Sequence, residues 1–348
     1  MMAQPFIIAQ IIATPGTGWG GMEQHTLALC EALANLGHTV HVLGHPDYAE
    51  RFAPPLIFHP LPMGLGRRNP WLRHRIRSTL RRIQPEVCHA QGHKAAALLA
   101  VSNPPNAISV GTIHGLKASH AGFSRLDAAI AVSQAVYGNV QHPRKYLVYN
   151  GITKVDLQPQ EQLTALTRAT ERPLVIAAGR LEPVKGFDRL LQAWARLEQP
   201  GHLVIAGQGS QSASLHQLID TLNLQDRVTL SGYREDLREW LGHADACVLS
   251  SDREGFGYLI IEALQAGCPV LATPVGCAPE LLPPSSVAGN TGTDAIYQLL
   301  RQHLPHLDHL RQIQADAMDR ARTEFTITAM VEHTLACYRA IAEQVAIR

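Results

Sequence analysis

The feature that most restricts the fold is a rhythm: short aliphatic runs end in glycine-rich or polar turns, pass into stretches with helical spacing, and start again. Early in the chain such runs fall at 6–13, 39–43, 87–90, 108–113, 128–132 and 146–148. A polar stretch rich in Gln and Thr follows at 157–172, and then a second series at 174–178, 203–206, 228–230, 246–249 and 270–272. Unbroken apolar runs suit strands buried on both faces, and strands alternating with helices build parallel sheets. The chain therefore reads as α/β, with two Rossmann-like domains at 1–155 and 156–326 facing a cleft. Apolar residues at helical spacing in 327–345 predict a last helix that crosses back, so that 327–348 completes the first domain. A length of 348 residues suits two domains of ordinary size.

Composition removes several classes. With 46% hydrophobic and 17% charged residues the chain can fill two cores and is not disordered. The six cysteines form no Cys-x-x-Cys pair, which disfavours a zinc ribbon or redox dithiol and fits a reducing compartment. The start lacks a basic n-region, its apolar run is broken by Gln10, and no apolar run reaches about 18 residues. A cytoplasmic protein is expected, with any membrane contact peripheral. The net charge of +1 hides an asymmetry: residues 1–155 hold 14 Lys plus Arg against 6 Asp plus Glu, and the remainder 16 against 23. Such opposition points to different partners for the two domains.

Three local patterns can carry chemistry. Gly16, Gly18 and Gly21 spell G-x-G-x-x-G between a strand and a helix, yet the second strand runs out at Gly44-His45-Pro46 with no acid for a ribose. Gly20 and Gly21 are read instead as a loop whose amides can face a phosphate at the helix start. Glycines needed only for a tight turn are the alternative. Glu254-Gly255-Phe256-Gly257-Tyr258-Leu259-Ile260-Ile261-Glu262 follows a strand ending in Ser250-Ser251. Its two glutamates stand about 12 Å apart along a helix axis, too far to share a proton or metal but suited to grip the ends of an elongated ligand. Gly255 and Gly257 aim amides at a phosphate between them. Gly179-Arg180 and Lys185-Gly186 also follow a strand, offering a planar fork and a mobile point charge for a pyrophosphate. No Asp-x-Asp pair occurs to hold a metal on a nucleotide sugar, so cations and helix dipoles are expected to replace it.

Taken in order with Val148-Tyr149-Asn150-Gly151-Ile152 and Ala263-Leu264-Gln265-Ala266-Gly267-Cys268-Pro269-Val270, these motifs make the chain resemble the retaining family-4 glycosyltransferases of the GT-B fold. The resemblance spans nearly the whole chain. It implies that Arg180 and Lys185 bind and stabilise the donor diphosphate, Glu262 holds the ribose hydroxyls and Glu254 contacts the donor sugar. Gly20, Gly21, Gly255, Phe256 and Gly257 are carried over as donor-binding, and His114, in Thr112-Ile113-His114-Gly115, as the histidine facing the sugar near the reacting centre. It also implies a nucleobase loop at Tyr233-Arg234, a UDP-sugar favoured over a GDP-sugar, no cofactor, no metal, and transfer with retention, the donor phosphate taking the acceptor proton. Two departures bear on donor fit: Gly276-Cys277 stands for the usual paired glycine, and Ser250-Ser251 for the common Pro-Ser.

The most unusual local composition runs from Arg67 to Arg82. Leu72, Ile76, Leu80 and Ile83 fall at helical spacing, with arginines on the other faces. One reading is a core-packed helix with a solvated face. The other is a basic surface, with Trp71 near its start and Arg73, Arg75 and Arg77 upon it, that meets an anionic membrane or a phosphorylated acceptor. A cell-surface glycan or lipid-linked acceptor such as a lipopolysaccharide core then follows, reached from the inner face of the plasma membrane. Nucleic acid is not expected, because no reading module accompanies the arginines. An NAD(P)-dependent oxidoreductase and a non-catalytic nucleotide-sugar-binding partner remain as alternatives.

Overall fold

The computed structural model describes residues 4–346, apart from 17, 117–120, 154–172 and 200. The polar stretch at 157–172 lies outside the described residues. The chain divides into two compact units, one of Met1–Ile152 with Glu324–Arg348 and one of Thr153–Thr323.

In the first unit seven parallel strands are ordered β3-β2-β1-β4-β5-β6-β7. They are β1 (Ile7–Ile12), β2 (Thr39–Gly44), β3 (Ile57–Pro60), β4 (Val87–Gln91), β5 (Ile108–Ile113), β6 (Ala128–Ala131) and β7 (Lys145–Leu147). The aliphatic runs that predicted β4, β5 and β6 are buried throughout, as strands covered by helices on both faces must be, while β7 at the sheet edge is half-buried. β3 was not foreseen. It is an edge strand with exposed Ile57 and Pro60, and its short apolar run Leu56-Ile57-Phe58 is enclosed by prolines and His59. The helices are α1 (Gly21–Asn35), α2 (Pro70–Ile83), α3 (Gly92–Leu99) and α4 (Gln134–Asn139).

The second unit has five parallel strands ordered β10-β9-β8-β11-β12. These are β8 (Leu174–Ala178), β9 (His202–Ala206), β10 (Val228–Gly232), β11 (Ala246–Leu249) and β12 (Val270–Ala272). Around them pack α5 (Phe187–Ala195), α6 (Ser212–Thr221), α7 (Leu237–His243), α8 (Tyr258–Gln265), α9 (Ala278–Leu281), α10 (Thr293–His303), α11 (Leu307–Ile313) and α12 (Ala315–Glu324). The core joins Trp194 and Leu190 of α5 to Leu203, Val248 and Leu300.

The last helix, α13 (Ile327–Ala346), does return to the first unit. Met330, Val331, Leu335, Tyr338 and Ile341 enter the core formed by Ile8, Leu29, Val42 and Val110. The strand orders reverse between β1 and β4 in one unit and between β8 and β11 in the other. Loops diverge at such a point and leave a crevice at the carboxyl ends of the strands, where ligands of open parallel sheets bind.

Candidate functional site

In the second unit the switch point brings together the loops after β8 and β11. Lys185 ends a 3-10 turn, Pro183–Lys185, closed by Gly186 at φ +64°. A side chain at Gly186 would be strained there and its Cβ would collide with the Ser250 carbonyl oxygen. This close approach stitches the loops: the Ser250 hydroxyl donates to the Lys185 carbonyl at 2.8 Å and the Asp252 amide to the Val184 carbonyl at 2.8 Å. Lys185 Nζ then reaches Glu254 Oε1 at 2.6 Å, and the Ser251 hydroxyl donates to the same oxygen at 2.7 Å. Arg189 anchors the second loop through Asp252 at 2.6 Å and the Thr291 carbonyl at 2.9 Å. Arg180 is exposed beside this pair, in a cavity of about 520 Å³ lined by Arg180, Glu182, Pro183, Val184, Asp252 and Arg253.

Glu262 lies inside α8, while Glu254 lies in the loop before it, so the two are not separated by a continuous helix. Arg238 Nε donates to Glu262 Oε1 at 3.3 Å and its Nη1 to the Thr153 carbonyl at 2.9 Å. Phe256 is buried, and its carbonyl accepts from the Cys277 amide at 2.7 Å, so its side chain does not face a ligand. Gly255 and Gly257 flank it immediately ahead of α8. In the expected nucleobase loop, Tyr233 is 64% exposed, whereas Arg234 is consumed internally. It binds both oxygens of Asp236 at 2.8 and 2.6 Å and lies 4.5 Å over Trp240. These bonds raise the Arg234 pKa and hold the Asp236 carboxyl below the usual range.

In the first unit the glycine loop after β1 is used differently from the reading of Gly20 as an open phosphate donor. The Gly20 amide donates to Glu23 Oε2 at 3.0 Å, so a carboxylate of the chain already occupies that donor at the start of α1. Gly16 sits at φ +85°, where a Cβ would run into the His45 ring. Tyr48 fastens the same loop by donating to the Gly18 carbonyl at 2.8 Å. The tight-turn alternative thus accounts for Gly16, and β2 gives way to His45 with no acid, so nothing here favours a dinucleotide.

His114 follows β5 and is half-buried. Its Nε2 meets Gln91 Oε1 at 2.8 Å, and its ring stands edge-on to His25, centroids 4.8 Å apart. Burial, first, and then the neighbouring histidines hold its pKa well below the ordinary value, so the ring is neutral at physiological pH. Gln91, Gln10, His89 and Arg238 were not singled out from the sequence. The signal for the first three was available: polar residues interrupting aliphatic strand runs.

α2 forms as predicted, with Asn69 capping at 3.0 Å to the Leu72 amide and Leu72, Ile76 and Leu80 buried. Arg73 and Arg77 donate to the carbonyls of Arg67 and Val101, and Arg75 lies 5.8 Å over Trp71, which is 54% exposed. Among the described residues no helix is long and apolar enough to cross a membrane.

Residues 19–154 match the family described as Glycosyltransferase Family 4, and residues 160–293 the family described as Glycosyl transferases group 1. The chain is 27% identical over 203 residues to a lipopolysaccharide core biosynthesis glycosyltransferase, LpsE, of Rhizobium meliloti, covering 57% of this chain and 58% of that protein. It is 24% identical to the N-acetyl-alpha-D-glucosaminyl L-malate synthase of Bacillus anthracis, over 90% of this chain and 93% of that one. In fold it resembles Anabaena Alr3699/HepE, solved in complex with UDP, with a TM-score of 0.81 at 20% identity, covering 96% of this chain and 100% of that chain.

Proposed function

The chain belongs to the glycosyltransferases of the GT-B fold, and we propose that it moves a sugar, with retention, from a nucleoside-diphosphate sugar to a hydroxyl of a cell-surface glycan or lipid-linked acceptor. The observation that carries this reading is the pairing of Lys185 with Glu254, from loops at the ends of adjacent strands, beside the cavity that Arg180 lines. Arg180 takes the incoming diphosphate. Lys185 exchanges Glu254 for phosphate oxygen, and the freed carboxylate turns to a sugar hydroxyl. Charge growing on the leaving diphosphate is met by these cations and by the start of α8, without a metal. The acceptor hydroxyl attacks from the face of the departing phosphate, whose oxygen takes its proton, while Glu262 holds the ribose and neutral His114 accepts a hydrogen bond from the sugar. UDP is the favoured nucleotide, in line with the UDP held by the similar Anabaena protein.

The lipopolysaccharide core as acceptor is supported by the likeness to LpsE and by the arginines of α2, of which Arg75, Arg77, Arg81 and Arg82 are exposed together with Trp71. That face suits an anionic lipid surface or a phosphorylated glycan, which supports the reading of a peripheral enzyme on a cytoplasmic membrane face. Flotation with anionic vesicles should recover the protein, less so at high salt or with Arg73, Arg75 and Arg77 neutralised. Equal recovery with neutral vesicles removes the membrane reading.

The decisive experiment offers UDP-, GDP- and ADP-sugars with and without candidate acceptors and measures nucleoside diphosphate release. Arg180→Ala and Lys185→Ala should each cost on the order of 3 kcal/mol of transition-state stabilisation while the fold persists. Wild-type turnover in the folded double variant excludes both from the mechanism.

A further inference from the structure

A line of polar side chains crosses the core of the first unit. Gln10, His89, Gln91, Thr112 and Tyr338 are each no more than 1% exposed. Four come from the adjacent strands β1, β4 and β5, and the fifth from α13. The contacts run His114 Nε2 to Gln91 Oε1 at 2.8 Å, Gln91 Nε2 to Gln10 Oε1 at 2.9 Å, and Gln10 Nε2 to the Tyr338 hydroxyl at 3.4 Å. They continue from that hydroxyl to His89 Nδ1 at 2.6 Å and from His89 Nε2 to Thr112 Oγ1 at 2.7 Å.

The donors in this line can be assigned. A carbonyl oxygen only accepts, so His114 carries its proton on Nε2. Tyr338 accepts from Gln10 and has one proton left, which goes to His89 Nδ1; the His89 proton is then on Nε2 and goes to Thr112. Every bond in the series points the same way, away from His114. A buried network with each member satisfied holds one arrangement.

We propose that Tyr338 is a positioning residue for His114, fixing it through Gln10 and Gln91 as the neutral tautomer whose Nδ1 accepts. Gln10 Nε2 also lies 3.4 Å from His89 Nδ1, so without the hydroxyl the 2.6 Å bond to His89 is lost and these two groups keep only each other, at that length. Held by that one long contact, both amides turn over more freely, and a turned Gln91 presents N–H to His114 and drives the proton to Nδ1. The use of this tautomer rests on the reading that His114 faces the donor sugar, because a ring whose proton has moved to Nδ1 can no longer accept from a sugar hydroxyl there. It also gives the return of α13 a chemical role beyond filling the core.

The test is the histidine side-chain ¹⁵N spectrum of the whole chain, with the His114 signal identified by its loss in His114→Asn. In the wild type His114 should show a protonated Nε2 and a bare Nδ1. Tyr338→Phe, which keeps the ring, should give a mixture of tautomers, a kcat lower by about 5- to 10-fold, the effect of roughly one net hydrogen bond, and a nearly unchanged donor KM. An unchanged His114 tautomer in Tyr338→Phe overturns the proposal, whatever the turnover. A shifted tautomer with unchanged turnover keeps the relay and removes His114 from the sugar site. Should Tyr338→Phe fail to fold, Gln91→Glu serves: a carboxylate against Nε2 should raise the His114 pKa, and an unshifted titration overturns the relay.

Discussion

Acidification should unfold the first unit well before its carboxylates are protonated. Burial pushes the pKa of His25 down to about 4 and that of His89 to about 3, from an ordinary 6.5. Asn150 lies beside His25, yet neither ring nitrogen has an aligned hydrogen-bond partner among the described residues, so little opposes the desolvation. An unfolded chain binds protons on these rings below pH 6.5 that the folded one refuses, so stability is flat above that value. It falls as pH drops toward the folded pKa values and levels off beneath them. Between pH 7 and pH 5 each ring removes about 2 kcal/mol, together about 4 kcal/mol, and His114 acts in the same direction. Against a usual total of about 5–15 kcal/mol this loss is large. Urea unfolding followed by tryptophan fluorescence at several pH values reads it, Trp19 reporting from the first unit. His25→Leu removes two ring nitrogens that lack partners and should shrink the loss to about 2 kcal/mol. An identical pH dependence in that variant would refute the argument, because His25 would then titrate alike in both states.

Three site substitutions test the loops. Gly186→Ala, which forces a side chain into φ +64° against the Ser250 carbonyl, should destabilise by about 1–3 kcal/mol and lower turnover by displacing Lys185, measured by melting and by diphosphate release. Glu254→Gln should tighten UDP binding by up to about 10-fold in calorimetry while lowering transfer, since the carboxylate competes with phosphate for Lys185; weaker UDP binding contradicts that competition. Arg238→Ala should cost under about 1 kcal/mol of stability, its pair with Glu262 being partly solvated. It should still change the donor KM in steady-state kinetics, because Glu262 loses the group that orients it.

How far the sequence was legible follows from where each residue's partners lie. Strands of a parallel sheet bury both faces, so Ile8, Val110 or Val204 declare themselves through their neighbours in sequence. Edge strand β3 is exposed and does not. Glu254 and Lys185 were each readable from loop position, but their pairing depends on β8 and β11 being adjacent, which no local pattern encodes. Arg238 lies on α7 and becomes relevant only once α8 brings Glu262 to it. The relay shows the limit most clearly. Gln10 is in register with His89, and Gln91 with Thr112, so their meeting follows from strand order and register, while Tyr338 arrives from a helix more than two hundred residues away in sequence.

The near-zero net charge conceals two ways of holding an anion, and folding alters the balance between the parts. The C-terminal segment brings three glutamates and two arginines to the first unit, so residues 1–152 with 324–348 hold 15 Lys plus Arg against 9 Asp plus Glu. Much of that excess is on α2, where exposed arginines meet water and attract over a Debye length of about 8 Å at physiological salt. The second unit works differently. Lys185, Arg189 and Arg238 are each held by a carboxylate in a partly buried setting, and Arg180 alone among these four makes no ion pair with a described residue. A preorganised cation of this kind gains little from long-range attraction and much from fixed geometry, so salt screens it less. Raising ionic strength should therefore strip the protein from an anionic surface while leaving donor affinity nearly intact, which separates the work of α2 from that of the β8 and β11 loops without a mutation.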